Sequence, residues 1–268
     1  MIAMHLQGRL GNIMFQTATL EYMGKRFGYE TCYPNIRQYL SVLEHGNVSY
    51  INTPHAQEYL KIFKNFSWTK NEDKSPEINT LIKIPFKFEH IREVDDKTKF
   101  MGYFQSEENW GGEREFVQKL FEPSEFVTSQ LEKYKGLFID ITCFIHVRRG
   151  DYLKYPDVHP TVTVDYINRA KKELEGHEIK KYLVFSDDIP WCKENLKGDD
   201  HVFIEGEKDY VELFLMGQCE YKIIANSSFS WFGSYLSPKG GVTVAPKVWI
   251  KSPRIDDSHV CPWFWTRI

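Results

Sequence analysis

The sequence predicts an α/β protein with two Rossmann-like halves that meet near residue 138, and three observations carry that expectation. From about residue 137 onward, short runs of β-forming residues alternate at regular intervals with helix-like segments, the pattern of a parallel sheet wrapped on both faces. The chain opens on the same unit, a strand, a glycine-rich turn and an amphipathic helix. Its 268 residues, 42% of them hydrophobic, suffice for one large or two modest cores.

In order, Met1 to Leu6 reads as a strand, Gly8 and Gly11 as a turn, and Asn12 to Phe27 as a helix with Met14, Phe15, Ala18 and Tyr22 on one stripe. The pattern then weakens: Asn47 to Lys74 is mixed and aromatic, and Asn71-Glu72-Asp73-Lys74-Ser75-Pro76 reads as an exposed loop. Order returns at Phe100 to Gln105 and in a helix near Glu113 to Leu120, after which Glu122-Pro123-Ser124-Glu125 caps another helix. The second half should carry strands at Ile139 to Val147, Tyr182 to Phe185, His201 to Ile204, Tyr221 to Ala225 and Val242 to Ala245. Helices are expected between them at Thr163 to Leu174, Ile189 to Leu196, Tyr210 to Cys219 and Trp231 to Leu236. The expected domains are 1–137 and 138–268.

Composition excludes several classes. A formal charge of −3 with dispersed Lys and Arg gives no electrostatic footprint for nucleic acid. No apolar run approaches the ~18 residues that cross a bilayer, and Met1 to Leu6 lacks the basic leader and cleavage site of a signal peptide. Five cysteines (Cys32, Cys143, Cys192, Cys219, Cys261) without paired short spacing suggest reduced, buried thiols rather than disulfides or zinc. Glycosylation triplets at Asn47, Asn65 and Asn226 then read as chance. The expected location is the cytoplasm, and peripheral contact with the inner face of a membrane is compatible with it.

Four segments carry candidate chemistry. His146-Val147-Arg148-Arg149-Gly150-Asp151-Tyr152 sets two arginines, a histidine and a carboxylate just past an apolar strand. Arginine's planar fork matches phosphate oxygens two at a time, and a salt-bridged turn is the competing reading. Gly8-Arg9-Leu10-Gly11-Asn12 lies between strand and helix, where backbone amides favour an anion. It lacks the third glycine of a dinucleotide fingerprint, so a tight turn capped by Asn12 competes. Asp187 and Asp188, closing a strand, suit a ribose, the N1 and N2 hydrogens of guanine, a metal, or simply a helix cap. Asn226-Ser227-Ser228 opens a helix with hydroxyls suited to a phosphate. Three such segments at successive strand ends would line one crevice for a nucleoside diphosphate.

These segments, with Gly102-Tyr103-Phe104-Gln105-Ser106-Glu107, Trp191, Ala245-Pro246-Lys247-Val248-Trp249 and the tryptophan-rich end, resemble the bacterial α-1,2-fucosyltransferases of glycosyltransferase family 11 in order and over nearly the whole chain. The resemblance implies a GT-B-like fold with its two domains facing across a cleft. It implies inverting, metal-independent transfer of L-fucose from GDP-fucose, a co-substrate and not a cofactor, to the 2-hydroxyl of a terminal β-galactoside, free or lipid-linked. It assigns Arg148 to the leaving diphosphate with Arg149 in support, His146, Asp187 and Asp188 to the guanosine, and Asn226, Ser227 and Ser228 to the phosphate side. Gly8, Gly11 and Asn12 would face the donor, and Gln105, Ser106 and Glu107 the acceptor. Ile13, where many relatives carry Gln, and Asn109-Trp110, where an aromatic pair is more usual, depart from the pattern. Asp151 is either the general base or the arginines' counter-ion. The competing classes are a nucleotide-sugar-binding module without turnover, a fucosyltransferase of another linkage, and a metal-dependent transferase using Asp187.

Overall fold

A computed structural model describes residues 1–45, 56–72, 74, 80–84, 91–253 and 255–268. By compactness the chain forms two units, Met1–Phe126 with Ser258–Val260, and Val127–Asp257 with Cys261–Ile268. The expectation at Asn47 and, of the loop expected at Asn71 to Pro76, the part at Asp73, Ser75 and Pro76 lie outside the described residues.

The first unit holds β1 (Ile2–Met4), α1 (Leu10–Phe27), β2 (Thr31–Cys32), α2 (Ile36–His45), β3 (Thr80–Ile84), β4 (Thr98–Gly102) and α3 (Arg114–Leu120). Its four strands are parallel in the order β2-β1-β4-β3. The loop after β1 is fixed by two side chains that mimic strand pairing. Asn35 accepts from the Leu6 N–H and donates to its carbonyl, both at 2.9 Å, and Gln16 does the same for Gln7 at 3.0 Å. Gln16 also donates to the Gly102 carbonyl at 3.0 Å, so one buried amide ties the β1 exit to the β4 exit. An unmatched buried amide would cost about 1–3 kcal/mol, which makes Gln16 a specific requirement of this turn.

α4 (Glu125–Leu131) and a 3-10 turn over Glu132–Phe138 lead into the second unit's sheet. That unit runs β5 (Thr142–Val147), α5 (Val164–Glu173), β6 (Lys181–Ser186), α6 (Ile189–Asn195), β7 (His201–Phe203), α7 (Asp209–Gly217), β8 (Tyr221–Ile223), α8 (Ser228–Tyr235), β9 (Thr243–Ala245) and β10 (Thr266–Arg267). All six strands are parallel, in the order β7-β6-β5-β8-β9-β10. This is the doubly wound 3-2-1-4-5-6 arrangement, whose connections diverge between its first and fourth strands, here β5 and β8. Every residue of β5 is buried, as a central parallel strand covered on both faces requires. Close packing of α7 on α8 needs Gly233, where a Cβ would lie 2.8 Å from the Met216 sulfur.

Several boundaries differ from the sequence expectation. The strand expected from Ile139 starts at Thr142, and Ile139 is 83% exposed beyond the 3-10 turn. The helix expected from Trp231 starts at Ser228, because Ser227 caps it by accepting from the Phe229 N–H. α1 starts at Leu10, so Gly11 is buried inside the helix and Asn12 does not cap it. β2, α2, β3 and β10 carried no readable pattern. All five cysteines are free and buried.

Candidate functional site

The second unit gathers three of the four candidate segments at the point where its strand order reverses. Register places Val147 beside Ser186 and Ile145 beside Ile223, so the chain leaving β5 passes between the exits of β6 and β8. In an open α/β sheet that is where a ligand finds backbone amides and helix starts without displacing the core.

Arg148 is held by carboxylates from two loops. Its Nη2 pairs closely with Asp151 and its Nη1 with Asp187 Oδ2 at 2.9 Å, and the guanidinium stands 5.5 Å from the Tyr152 ring centre. Arg149 donates from Nε to Asp188 Oδ2 at 3.1 Å and packs over the Trp191 ring at 4.1 Å. The Arg149 backbone N–H donates to Asp187 Oδ1 at 2.9 Å. Both guanidiniums are mostly shielded from solvent, at 13% and 17% side-chain exposure, where charge interactions are weakly screened. Gly150 is required between them and Asp187: a Cβ there would lie 2.5 Å from Asp187 Oδ2. The salt-bridged turn read from the heptad is thus present, and its ion pairs orient both arginines.

Asp188 caps α6, accepting from the Trp191 N–H at 3.2 Å, while also pairing with Arg149. His146 is buried against Phe229, with ring centres 5.7 Å apart, and its Nδ1 has no hydrogen-bond partner among the described residues. Burial, then the nearby Arg148 charge, pushes its pKa down to about 3, so the imidazole is neutral at ordinary pH. Asn226 is buried, its amide donating to the Trp249 carbonyl at 3.0 Å, which removes it as a glycosylation acceptor. Ser227 is nearly buried at the start of α8 and Ser228 is the helix's first residue. The Tyr152 hydroxyl donates to the Asn226 carbonyl at 2.9 Å, tying the β5 exit to the β8 exit.

In the first unit, Gly8 has a φ of 89°, a left-handed backbone, and a Cβ there would meet the Asn12 side chain at 2.4 Å. Gln105 donates to Asn12 Oδ1 at 2.7 Å. Ser106 is fully buried and accepts from the Glu108 N–H, while Glu107 begins a 3-10 turn and is partly exposed.

Two titratable groups that sequence reading passed over feel the charges of the second unit's loops. Glu212 on α7 has its pKa raised to about 8, by burial first and then by the charges of Asp209, Glu207 and Asp187. A lone acid inside Tyr210-Val211-Glu212-Leu213-Phe214-Leu215 was the available signal. His159 stacks on Tyr152, and only the fold brings it there. No group of three or more His, Cys, Asp or Glu among the described residues is placed to hold a metal ion. No helix among them is long and apolar enough to cross a membrane.

Comparison with known proteins gives the family and a similar fold. The family model described as Glycosyl transferase family 11 matches residues 1–267. The chain is 29% identical to the alpha-1,2-colitosyltransferase of Escherichia coli over 287 aligned residues, covering 100% of this chain and 98% of that one. It is 33% identical to the human galactoside alpha-(1,2)-fucosyltransferase 1 over 37% of this chain and 29% of that protein. Among solved structures, the NodZ alpha-1,6-fucosyltransferase soaked with GDP-fucose, from a protein of Bradyrhizobium, matches with a TM-score of 0.52 at 12% identity, over 88% of this chain and 92% of that one. At that identity the likeness speaks for the fold alone.

Proposed function

The chain belongs to glycosyltransferase family 11, and from that premise we propose that it transfers L-fucose from GDP-fucose to the 2-hydroxyl of a terminal β-galactoside, with inversion and without a metal ion. The observation that carries the reading is the placement of Arg148 and Arg149 at the β5–β8 divergence, each fixed by aspartates from the β6 exit. Breaking the bond from the anomeric carbon to the phosphate oxygen leaves growing negative charge on GDP. Preorganised guanidiniums meet that charge with no reorganisation at the moment of reaction. Arg148 keeps its Nε, and Arg149 both terminal nitrogens, without a partner among the described residues, so donors remain for phosphate oxygens.

The unpartnered, neutral His146 Nδ1 suits a purine edge, and Asp187 and Asp188 lie within the same group of loops for the guanosine. Asn226, Ser227 and Ser228 would serve the phosphates from the start of α8, Asn226 through its backbone because its amide is engaged. For the first unit, we assign Gly8, Gly11 and Asn12 to the donor, with Gly11 acting by fixing the α1 start. Gln105 and Glu107 are assigned to the acceptor, with Ser106 shaping their turn. Asp151, engaged by Arg148, is read as counter-ion.

The test is incubation of the purified chain with GDP-fucose and a panel of β-galactosides, with linkage analysis of the product. An α-1,2-linked fucoside supports the reading; absence of transfer across the panel, with or without GDP binding, refutes it. A second donor is favoured by the near full-length match to a colitosyltransferase, since colitose is fucose without its 3-hydroxyl. Running the GDP-linked 3-deoxy sugar in parallel decides between them: faster transfer of that sugar overturns fucose as the preferred donor.

A further inference from the structure

Asp151 is engaged where it stands, its carboxylate in close contact with the Arg148 guanidinium. A different group stands beside it. His159 stacks on the Tyr152 ring, with centres 4.4 Å apart and planes 16° from parallel, and it feels the charges of both Asp151 and Arg148. Its backbone N–H donates to the Tyr155 carbonyl at 2.9 Å, and the neighbouring Val158 carbonyl accepts from the Lys251 N–H at 2.8 Å, so the backbone at His159 is tied both to its own loop and to the chain after β9. The imidazole is thus faced by the Tyr152 ring and by the charges of Asp151 and Arg148.

We propose that His159 takes the proton of the attacking acceptor hydroxyl, with Asp151 stabilising the imidazolium that forms. This rests on the fucosyl-transfer reading above. In the step, the acceptor oxygen bonds to the anomeric carbon, its proton passes to the imidazole, and the bond from that carbon to the phosphate oxygen breaks with its electron pair going to GDP. The new positive charge on His159 competes with Arg148 for Asp151. That loosens the Arg148–Asp151 pair as the leaving diphosphate gains charge, so proton acceptance and leaving-group stabilisation reinforce each other. Partial burial, opposed by Asp151 and aided by Arg148, holds the His159 pKa below its ordinary 6.5, so the ring is a neutral acceptor at neutral pH.

The test compares wild type with His159→Gln, His159→Phe and Asp151→Asn, measuring kcat, KM and GDP affinity across pH with GDP-fucose and the best acceptor of the panel. The Phe variant keeps a ring against Tyr152 but accepts no proton, so a merely structural role would leave it active. Loss of about 10²-fold or more in kcat in both His159 variants, with GDP affinity retained, is expected. The acidic limb of the wild-type profile should vanish in both variants and move to lower pH in Asp151→Asn, where the charge that supports the imidazolium is gone. Near wild-type kcat in His159→Phe, or disappearance of the limb in Asp151→Asn with its persistence in the His159 variants, overturns the proposal. Those ratios are read only against an active wild type, so absence of wild-type transfer counts against the fucosyl-transfer reading and removes this inference with it.

Discussion

Replacing Glu212 by glutamine should change how the protein's stability responds to pH, and in a direction opposite to most carboxylates. Its pKa is raised from 4.5 to about 8, so across that interval the folded chain binds a proton that the unfolded chain has released. Stability associated with the group is therefore fully present below pH 4.5 and is lost as pH rises towards 8. At ~1.36 kcal/mol per pH unit the shift sets a ceiling of about 5 kcal/mol. Glu212 keeps partial contact with solvent, and screening brings the expectation to about 2 kcal/mol. Glutamine reproduces the shape of the neutral acid and never ionises. Melting followed by circular dichroism should thus give similar midpoints for Glu212→Gln and wild type near pH 4.5, and a variant higher by roughly 4–8 °C at pH 8. Parallel melting curves across that range would show that Glu212 ionises freely in the folded state and would refute the reasoning.

Arg148→Ala should lower kcat by about a hundredfold to a thousandfold, some 3–4 kcal/mol of transition-state stabilisation, with the melting midpoint little changed; near wild-type turnover removes Arg148 from the chemistry. Gly150→Ala drives a methyl group into Asp187, so it should weaken GDP binding measured by calorimetry more than it lowers stability, and unchanged affinity would show that Asp187 yields freely. Tyr166→Phe leaves the Ile224 and Val244 carbonyls, now 2.8 and 3.1 Å from its hydroxyl, without that donor. The expected cost is about 1–3 kcal/mol in urea unfolding. Activity should survive a chelator, because the charge on the leaving group is assigned to arginines; loss restored by a divalent ion would return Asp187 and Asp188 to a metal-binding role.

What was legible in the sequence was what is contiguous. β5 is a run of buried residues ending in the arginines, so strand, exit loop and candidate chemistry were read from a single stretch. The Asp187-Asp188 pair was recognisable for the same reason, although the cap reading described only part of Asp188, which caps α6 and also orients Arg149. Two-residue strands such as β2 and β10 are too short to show periodicity; they exist because neighbouring strands supply pairing partners. Asn226 shows how a local motif misleads: the triplet matches a glycosylation signal, yet the amide is buried against Trp249. The role of His159 arises only from the fold, which brings it back against Tyr152.

The charges around Arg148 explain why a neutral Glu212 belongs in this unit. Two guanidiniums, Arg148 and Arg149, face three carboxylates, Asp151, Asp187 and Asp188, so the loops carry net negative charge before any diphosphate arrives. Burial raises the pKa of Glu212 first, then the charges of Asp209, Glu207 and Asp187. An ionised Glu212 would add a fourth negative charge to this part of the unit. An Asp151 drawn towards a protonated His159 would relieve the same excess from the other side. On this view the carboxylates fix the orientation of the arginines, and the proton held by Glu212 keeps the excess of negative charge beside them from growing.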